Sequence, residues 1–258
     1  MKASLPRRGW LQAAGASLMG AVLAGCDRIA EAPKVVNVLD AAEGLNRRVQ
    51  RLIGRHALAR EFAEADISRD FRPNGSVNPA DADYRAHAEN GFADWRLVVH
   101  GLVERPLSLS LDQVRALPAR TQITRHDCVE GWSSIAKWQG ARLGPLLAMA
   151  GLKPAARYVV FHCADTLGAP TDPGAGKYYE SLDLTDALHP QTILAWAMND
   201  RPLPIPHGAP LRLRAERHLG YKQAKYVMRI EAVDRLDAIA GGKGGFWEDR
   251  GYEWYAGV

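Results

Sequence analysis

Cys128 sits in the run Arg125-His126-Asp127-Cys128-Val129-Glu130-Gly131-Trp132, directly after the alternating stretch Thr121 to Thr124. A thiol at a turn behind a strand is either packed core or a soft metal ligand. The second use is favoured by neighbouring cations such as Arg125 and His126, which can ease loss of its proton. Two further clusters carry basic side chains in turns. His207-Gly208-Ala209-Pro210-Leu211-Arg212 sets a His and an Arg five apart, and Gly220-Tyr221-Lys222-Gln223-Ala224-Lys225 sets two lysines after a glycine. Singly, each reads as a charged surface turn. Together, one soft sulfur and two amide-rich basic loops suit a large anionic cofactor carrying a thiophilic metal.

Other chemistries find no support in the chain. Gly174-Ala175-Gly176-Lys177 lacks the features of a phosphate loop, with Tyr178 where Ser or Thr is needed and Thr171 where Gly is needed. Dinucleotide, serine-hydrolase and zinc motifs are missing, as is the Cys-x-x-Cys-His of an attached haem. The formal charge of +4 is modest, and no basic run interleaves with aromatics, so a nucleic-acid partner is not expected.

The N-terminus reads as a targeting segment. Lys2, Arg7 and Arg8 precede the small, apolar stretch Trp10 to Ala24, too short to span a bilayer and suited to an export signal over residues 1–25. Arg7-Arg8-Gly9-Trp10-Leu11 resembles a twin-arginine signal, a route for proteins already folded, which agrees with cofactor insertion before export. Leu23-Ala24-Gly25-Cys26 resembles a lipobox, so Cys26 is the expected lipidation site, and Asp27 resembles an inner-membrane retention signal. The expected location is the periplasmic face of the bacterial inner membrane. Cys128 and Cys163 then remain, and a disulfide between them is the plain alternative in an oxidising compartment.

The elements that must position these groups follow from periodicity. Residues 26–70 read as anchor, a linker over Ala30 to Lys34 and a helical segment, Val35 to Asp66, broken at Gly44 and Gly54. Its arginines 47, 48, 51, 55 and 60 form a solvated face. Residues 71–258 read as one oxidoreductase domain. Phe71 to Gly75 is turn-rich; Trp95 to Val103, Leu107 to Leu111, Thr121 to Thr124, Tyr158 to His162, Leu211 to Arg214 and Tyr226 to Val233 are expected strands. Leu111 to Leu117 is an expected helix capped by Ser110, Leu143 to Ala150 one closed by Gly151, and Leu184 to Leu188 a third. Thr166 to Gly176 reads as loop, and Thr192 to Met198 is open between helix and strand. Strands scattered among short helices give an α+β class. The aromatic tail to Val258 is expected to pack across the fold, with a place at a pocket rim as the other option.

In order along the chain, Cys128-Val129-Glu130-Gly131-Trp132, Trp138-Gln139-Gly140, Asn199 with Leu203-Pro204, His207 to Arg212, Gly220-Tyr221-Lys222 and Lys225 resemble the sulfite oxidase family of molybdenum enzymes. They are most similar to its single-domain bacterial branch, which includes periplasmic protein-methionine-sulfoxide reductases. The resemblance covers roughly Phe71 to Val233. It implies a molybdopterin-binding fold of mixed sheets with short helices, and a molybdenum-molybdopterin cofactor with Cys128 as the protein sulfur on the metal. It implies cofactor contacts from Asn74, Val77, Asn78, Cys163, His207, Arg212, Gln223, Ala224 and Lys225. Cys163 and His207 depart from the Thr and Asn of that branch.

The expected activity is oxygen-atom or two-electron transfer beside Cys128, with a separate haem- or quinone-linked electron partner and a monomeric chain. Sulfoxide reduction is favoured over sulfite oxidation, since Arg125 is the one arginine that can be nominated beside the site as a catalytic, oxyanion-binding group. A non-catalytic ligand-binding lipoprotein is the alternative from another class.

Overall fold

The computed structural model describes residues 32–258, apart from 55, 169, 170 and 172–174. The export signal, the twin-arginine pair, Cys26 and Gly174 lie outside them. Two units divide at Arg55 and His56. The first contributes helix α1 (Pro33–Gly54). It takes in Lys34, read as linker, and runs through Gly44 without a break, because one interior glycine costs only ~1 kcal/mol against alanine. Gly54 does end it. Among the described residues no helix is long and apolar enough to cross a membrane.

The second unit is built on two five-stranded sheets. One is ordered β2 (Leu107–Ser110), β1 (Arg96–Gly101), β10 (Val227–Val233), β5 (Tyr158–Leu167), β6 (Gly176–Asp183). The other is ordered β3 (Ala119–Asp127), β4 (Ser133–Arg142), β7 (Ile193–Met198), β8 (Arg201–Pro202), with β9 (Arg212–Arg214) also paired to β7. The β1–β10 pair is parallel and the other pairs are antiparallel, the mixed arrangement of an α+β fold.

Short helices sit between strands where local chemistry places them. Ser110 and Gln113 form a capping box on α3 (Leu111–Arg115), which follows α2 (Ala82–Glu89). Helix α4 (Leu143–Ala150) ends at left-handed Gly151 and buries Leu143, Leu146 and Leu147 in the main core with Leu97, Val99 and Phe161. Helix α5 (Leu184–Ala187) is capped by Asp183.

Two stretches differ from the expectation. Strand β5 continues past His162 through an irregularity to Leu167, and β6 begins at Gly176, so Thr166, Leu167 and Gly176, read as loop, are strand residues. Strand β6 carries five consecutive buried residues, Tyr178 to Leu182, and offers no alternation to read. The ambiguous apolar stretch is β7, a strand buried along nearly its whole length.

The ends of this unit fold back onto it. Phe62 and Ser68 donate backbone N–H groups to the carbonyls of Ile123 and Ile135, on β3 and β4. At the other end Phe246 N–H donates to Tyr179 O, Leu219 N–H to Ala256 O and Val258 N–H to Arg217 O. The tail is also held by a buried ion triad. Lys222 Nζ donates to Glu180 at 2.5 Å and Glu248 at 2.6 Å, with all three side chains at most 1% exposed.

Candidate active site

Strand β3 alternates with a polar interior: Gln122, Thr124 and His126 face inward, while Arg125 turns outward. Past Asp127 the chain reverses into β4. Cys128 opens the reversal, its N–H donating to Trp132 O at 2.9 Å and its carbonyl accepting from Gly131 N–H at 3.0 Å. Gly131 has φ +85, a left-handed conformation suited to glycine. Asp127 braces the base of the turn, accepting from Ser133 Oγ at 2.5 Å and from Arg125 Nε at 3.0 Å.

The turn forms one wall of a cleft enclosing about 730 Å³ up to its open mouth. Asn74, Gly75 and Ser76 line a second side, Gly220, Tyr221, Gln223 and Lys225 a third, and Asp165, Tyr178, Trp247 and Tyr252 close the remainder. Phe71 leads into the Asn74 segment, its ring between His126 at 5.5 Å and His207 at 5.4 Å. Lys225 fastens that segment by donating to the carbonyls of Asn74, Ser76 and Pro206.

Lys225, Glu130 and Asp165 are the charged types that line the cleft, and two buried arginines lie on β9. Arg212 and Arg214 lie on one face of β9, fully buried, both over the Trp138 ring at 5.3 and 4.3 Å. Glu216 takes a two-pronged ion pair from Arg214, at 3.0 and 2.6 Å. Arg212 donates through Nη1 to His207 O at 3.3 Å, while its Nε and Nη2 have no partner among the described residues. Burial, and then Arg214, push its guanidinium down to about 9. Burial and Arg212 push Lys225 down to about 7. Burial raises Asp165 to about 6, with Lys225 opposing.

His126 completes the support behind the cysteine turn. Its Nδ1 accepts from Arg214 Nη1 at 3.1 Å, and burial with the two arginines holds it neutral, well below the usual histidine range. The ring packs on Gly220 so closely that a Cβ there would lie 2.6 Å from Cε1 and Nε2. A second glycine is needed at Gly208, φ +113, where a Cβ would stand 2.9 Å from Lys225 Cβ.

The expectation that Arg125 and His126 ease ionisation of Cys128 is not met. His126 is uncharged, and Arg125, its side chain 55% exposed, is paired to Asp127 and lines no part of the cleft. Burial pushes the Cys128 thiol up, and Arg72 is the cation that pulls it back. Cys128 and Cys163 are both free, so the disulfide alternative does not form.

The other expected contact residues divide. Asn74, Gln223 and Lys225 meet Cys128 in the cleft, and Arg212 and His207 stand behind it. Ala224 is buried and offers its carbonyl to Leu213 N–H at 2.8 Å. Val77 and Asn78 are exposed outside the cleft. Cys163 is buried and faces a separate, more open cavity with His162, Tyr179 and Arg229, which meets the cleft at Tyr178. Asp165 and Tyr178 add to the expected set, while Trp247 and Tyr252 take the pocket-rim option for the aromatic tail. The signal available for Asp165 was an acidic residue in the apolar run Phe161 to Ala164; for Trp247 and Tyr252 it was the aromatic tail.

A model of the oxidoreductase molybdopterin binding domain matches residues 85–238. The chain belongs to this family. It is thereby an oxidoreductase with a molybdenum-molybdopterin cofactor, and the alternative of a non-catalytic lipoprotein falls away.

This family member is similar to a candidate protein-methionine-sulfoxide reductase subunit YedZ1 of Azospira oryzae. The two are 37% identical over 237 residues, 92% of this chain and 82% of that protein. It is also similar to the protein-methionine-sulfoxide reductase catalytic subunits MsrP of Xanthomonas campestris pv. campestris, 37% identical over 157 residues, and Campylobacter jejuni, 33% over 144. Those alignments take in 58% and 54% of this chain and 48% of each relative, so the match spans about half of the MsrP length. Among solved structures, the sulfane dehydrogenase SoxCD of Paracoccus pantotrophus matches with a TM-score of 0.49 and 20% identity, covering 71% of this chain and 47% of that one.

The residues present fit the cofactor. A fully buried guanidinium with two unused donors is costly unless an anion meets it, because a buried charge needs both a counter-charge and hydrogen bonds. Arg212 is in that condition, and Lys225, whose hydrogen bonds go to carbonyls, adds a second buried cation, so a phosphate group supplies the counter-charge. Asn74 Oδ1 is likewise buried and without a hydrogen-bond partner among the described residues, as an acceptor for a ring bearing N–H groups would be.

Proposed function

We propose that this chain is the molybdenum-molybdopterin catalytic subunit of a reductase acting on sulfoxides, methionine sulfoxide above all. The single observation that carries the reading is the joining, in one cleft, of the Cys128 thiol with Lys225 and the buried, unpaired Arg212 behind it. Similarity to named methionine-sulfoxide reductase subunits supports the substrate. When bound, the cofactor supplies two-electron oxygen-atom transfer.

The roles of the chain's own residues follow. Cys128 would hold the metal through its sulfur as the protein thiolate, although burial raises the free thiol. Arg212 and Lys225 would neutralise the cofactor's phosphate, and Asn74 and Gln223 would fix its orientation. Arg214, locked by Glu216, holds His126 neutral and so sets the floor beneath the cysteine turn. Cys163, one wall away, and His207, behind Arg212, tune the surroundings from outside the cleft.

The mouth favours a neutral organic substrate over sulfite. A small dianion wants several cations at the opening, but Arg125 points away and is neutralised by Asp127. Arg72 acts on Cys128 from the exposed side. The opening is walled instead by Trp247 and Tyr252. Protein made in a molybdenum-competent host is expected to reduce methionine sulfoxide with a viologen donor faster than it oxidises sulfite. The reverse order would overturn the substrate, and absence of molybdenum from active protein would overturn the class.

Electrons reach the site from a separate haem- or quinone-linked membrane partner, and the chain acts as a monomer on the periplasmic face of the inner membrane. The twin-arginine signal and lipidation at Cys26 account for that location. Cys26→Ala is expected to release the mature protein from the membrane fraction.

A further inference from the structure

The C-terminal tail reaches the cleft at two positions, Trp247 and Tyr252. Their rings stack at 5.2 Å with 28° between planes. Tyr221, from the loop that also carries Lys222 and Gln223, meets Tyr252 edge-on at 5.3 Å, and Phe246 meets Trp247 edge-on at 5.3 Å. This aromatic wall faces the cleft that Cys128, Val129 and Glu130 line from the cysteine turn.

Its position is fixed from beneath. Glu248, next to Trp247, is gripped by Lys222, and Tyr221 Oη donates to Glu253 O at 2.5 Å. Tyr252 N–H donates to Trp247 O at 3.0 Å, which sets the two rings relative to one another. Yet Tyr252 itself is 40% exposed. A large aromatic ring anchored below and open above a cleft is a surface prepared for a ligand, since such rings gain most when a partner covers them at little cost in lost freedom.

We propose that Trp247 and Tyr252 form the recognition wall for the organic groups flanking the substrate's sulfur, and thus set preference for a peptide-borne methionine sulfoxide. This rests on the reading of the cleft as a sulfoxide reductase site. The wall's chemistry suits that class: sulfur and its attached methyl are polarizable and pack on aromatic rings, whereas a small inorganic oxyanion gains nothing from them. The wall carries no charge of its own, so it selects by contact with apolar neighbours and leaves the metal end of the cleft to the cations. Both residues act on binding; neither is placed at the reacting atoms.

The test compares wild type with Trp247→Ala, Tyr252→Ala and the milder Trp247→Phe, all produced with molybdenum. Molybdenum and pterin contents, kcat and KM are measured with a methionine-sulfoxide peptide and with dimethyl sulfoxide. Cofactor content is expected to stay at the wild-type level. For the peptide, KM rises about threefold to tenfold in each alanine variant, with kcat little changed. The rise for dimethyl sulfoxide, which has less to lay on the wall, is smaller, and Trp247→Phe recovers most of the loss. Loss of cofactor in the alanine variants, or equal effects on both substrates, overturns the proposal by making the rings a cofactor wall or a general packing element. If wild type carries molybdenum but turns over neither sulfoxide, the functional reading itself fails. The wall is then tested separately by quenching of tryptophan fluorescence on adding the peptide, expected in wild type and lost in Trp247→Phe; no difference between them refutes it.

Discussion

Arg212 and Arg214 stand two residues apart on one face of β9, equally buried, yet only Arg214 has a carboxylate bonded to it, from Glu216. Arg212 keeps two donors unused, with no partner for them among the described residues. A charge left in that state marks a place made for an anion, because the fold alone gains nothing from burying it.

Arg212→Met therefore separates loading from folding. The cofactor-free protein is expected to be at least as stable as wild type, as an unpaired buried cation has been removed. Pterin and molybdenum contents are expected to fall at least about tenfold, the scale of one lost charge-assisted contact. Thermal unfolding of cofactor-free protein and pterin fluorescence after oxidative release check the two halves.

Lys225 gives a dependence on pH. Its folded value, about 7, lies below the ordinary 10.5, so above about pH 7 the unfolded chain holds a proton at this site that the folded chain has released. Stability from this group then rises with pH between those values. In cofactor-free protein, the stability of wild type relative to Lys225→Met is expected to increase from about pH 7 to about pH 9 in urea unfolding. Inorganic phosphate, by holding the proton on Lys225, should reduce that increase. A relative stability that falls over the same range would refute the assignment.

Gly220 and the His126 ring leave no room for a Cβ. Gly220→Ala is expected to cost about 1–3 kcal/mol in unfolding free energy through overpacking. Combining it with His126→Ala should give less loss than the sum of the single changes, since the clash is with the ring. Strict additivity would show that the ring is not what confines Gly220.

Lys222 holds Glu180 and Glu248 in the interior. Burial pushes the Glu180 carboxyl well above the ordinary range despite Lys222. Lys222→Met is expected to destabilise by about 3–5 kcal/mol, because two buried carboxylates lose their counter-charge. Adding Glu248→Gln should restore part of that loss, and limited proteolysis should show the tail released in the single variant first.

Much of this was legible where the cause is local. Ser110 marked the start of α3, and Gly151 the end of α4, because caps are set by nearest neighbours. Cys128, Arg212 and Lys225 were legible as chemical types. Their roles relative to Arg125 were not, because the buried face of β3 carries Gln122, Thr124 and His126, and polar residues turned inward conceal which neighbour faces out. The aromatic wall was legible as one of two options for the tail. What decides it is long-range pairing, of Glu248 with Lys222 and of Phe246 N–H with Tyr179 O, which no pattern within the tail announces.

Molybdenum and pterin contents of Cys128→Ser, set beside wild type from the same molybdenum-competent host, test the central claim most directly. Cys128 lies in a turn held by backbone bonds, so the variant is expected to fold with unchanged circular dichroism. Its molybdenum content and its turnover of methionine sulfoxide are expected to drop to background, for want of the protein sulfur on the metal. A folded Cys128→Ser protein with wild-type molybdenum and wild-type activity would contradict the assignment.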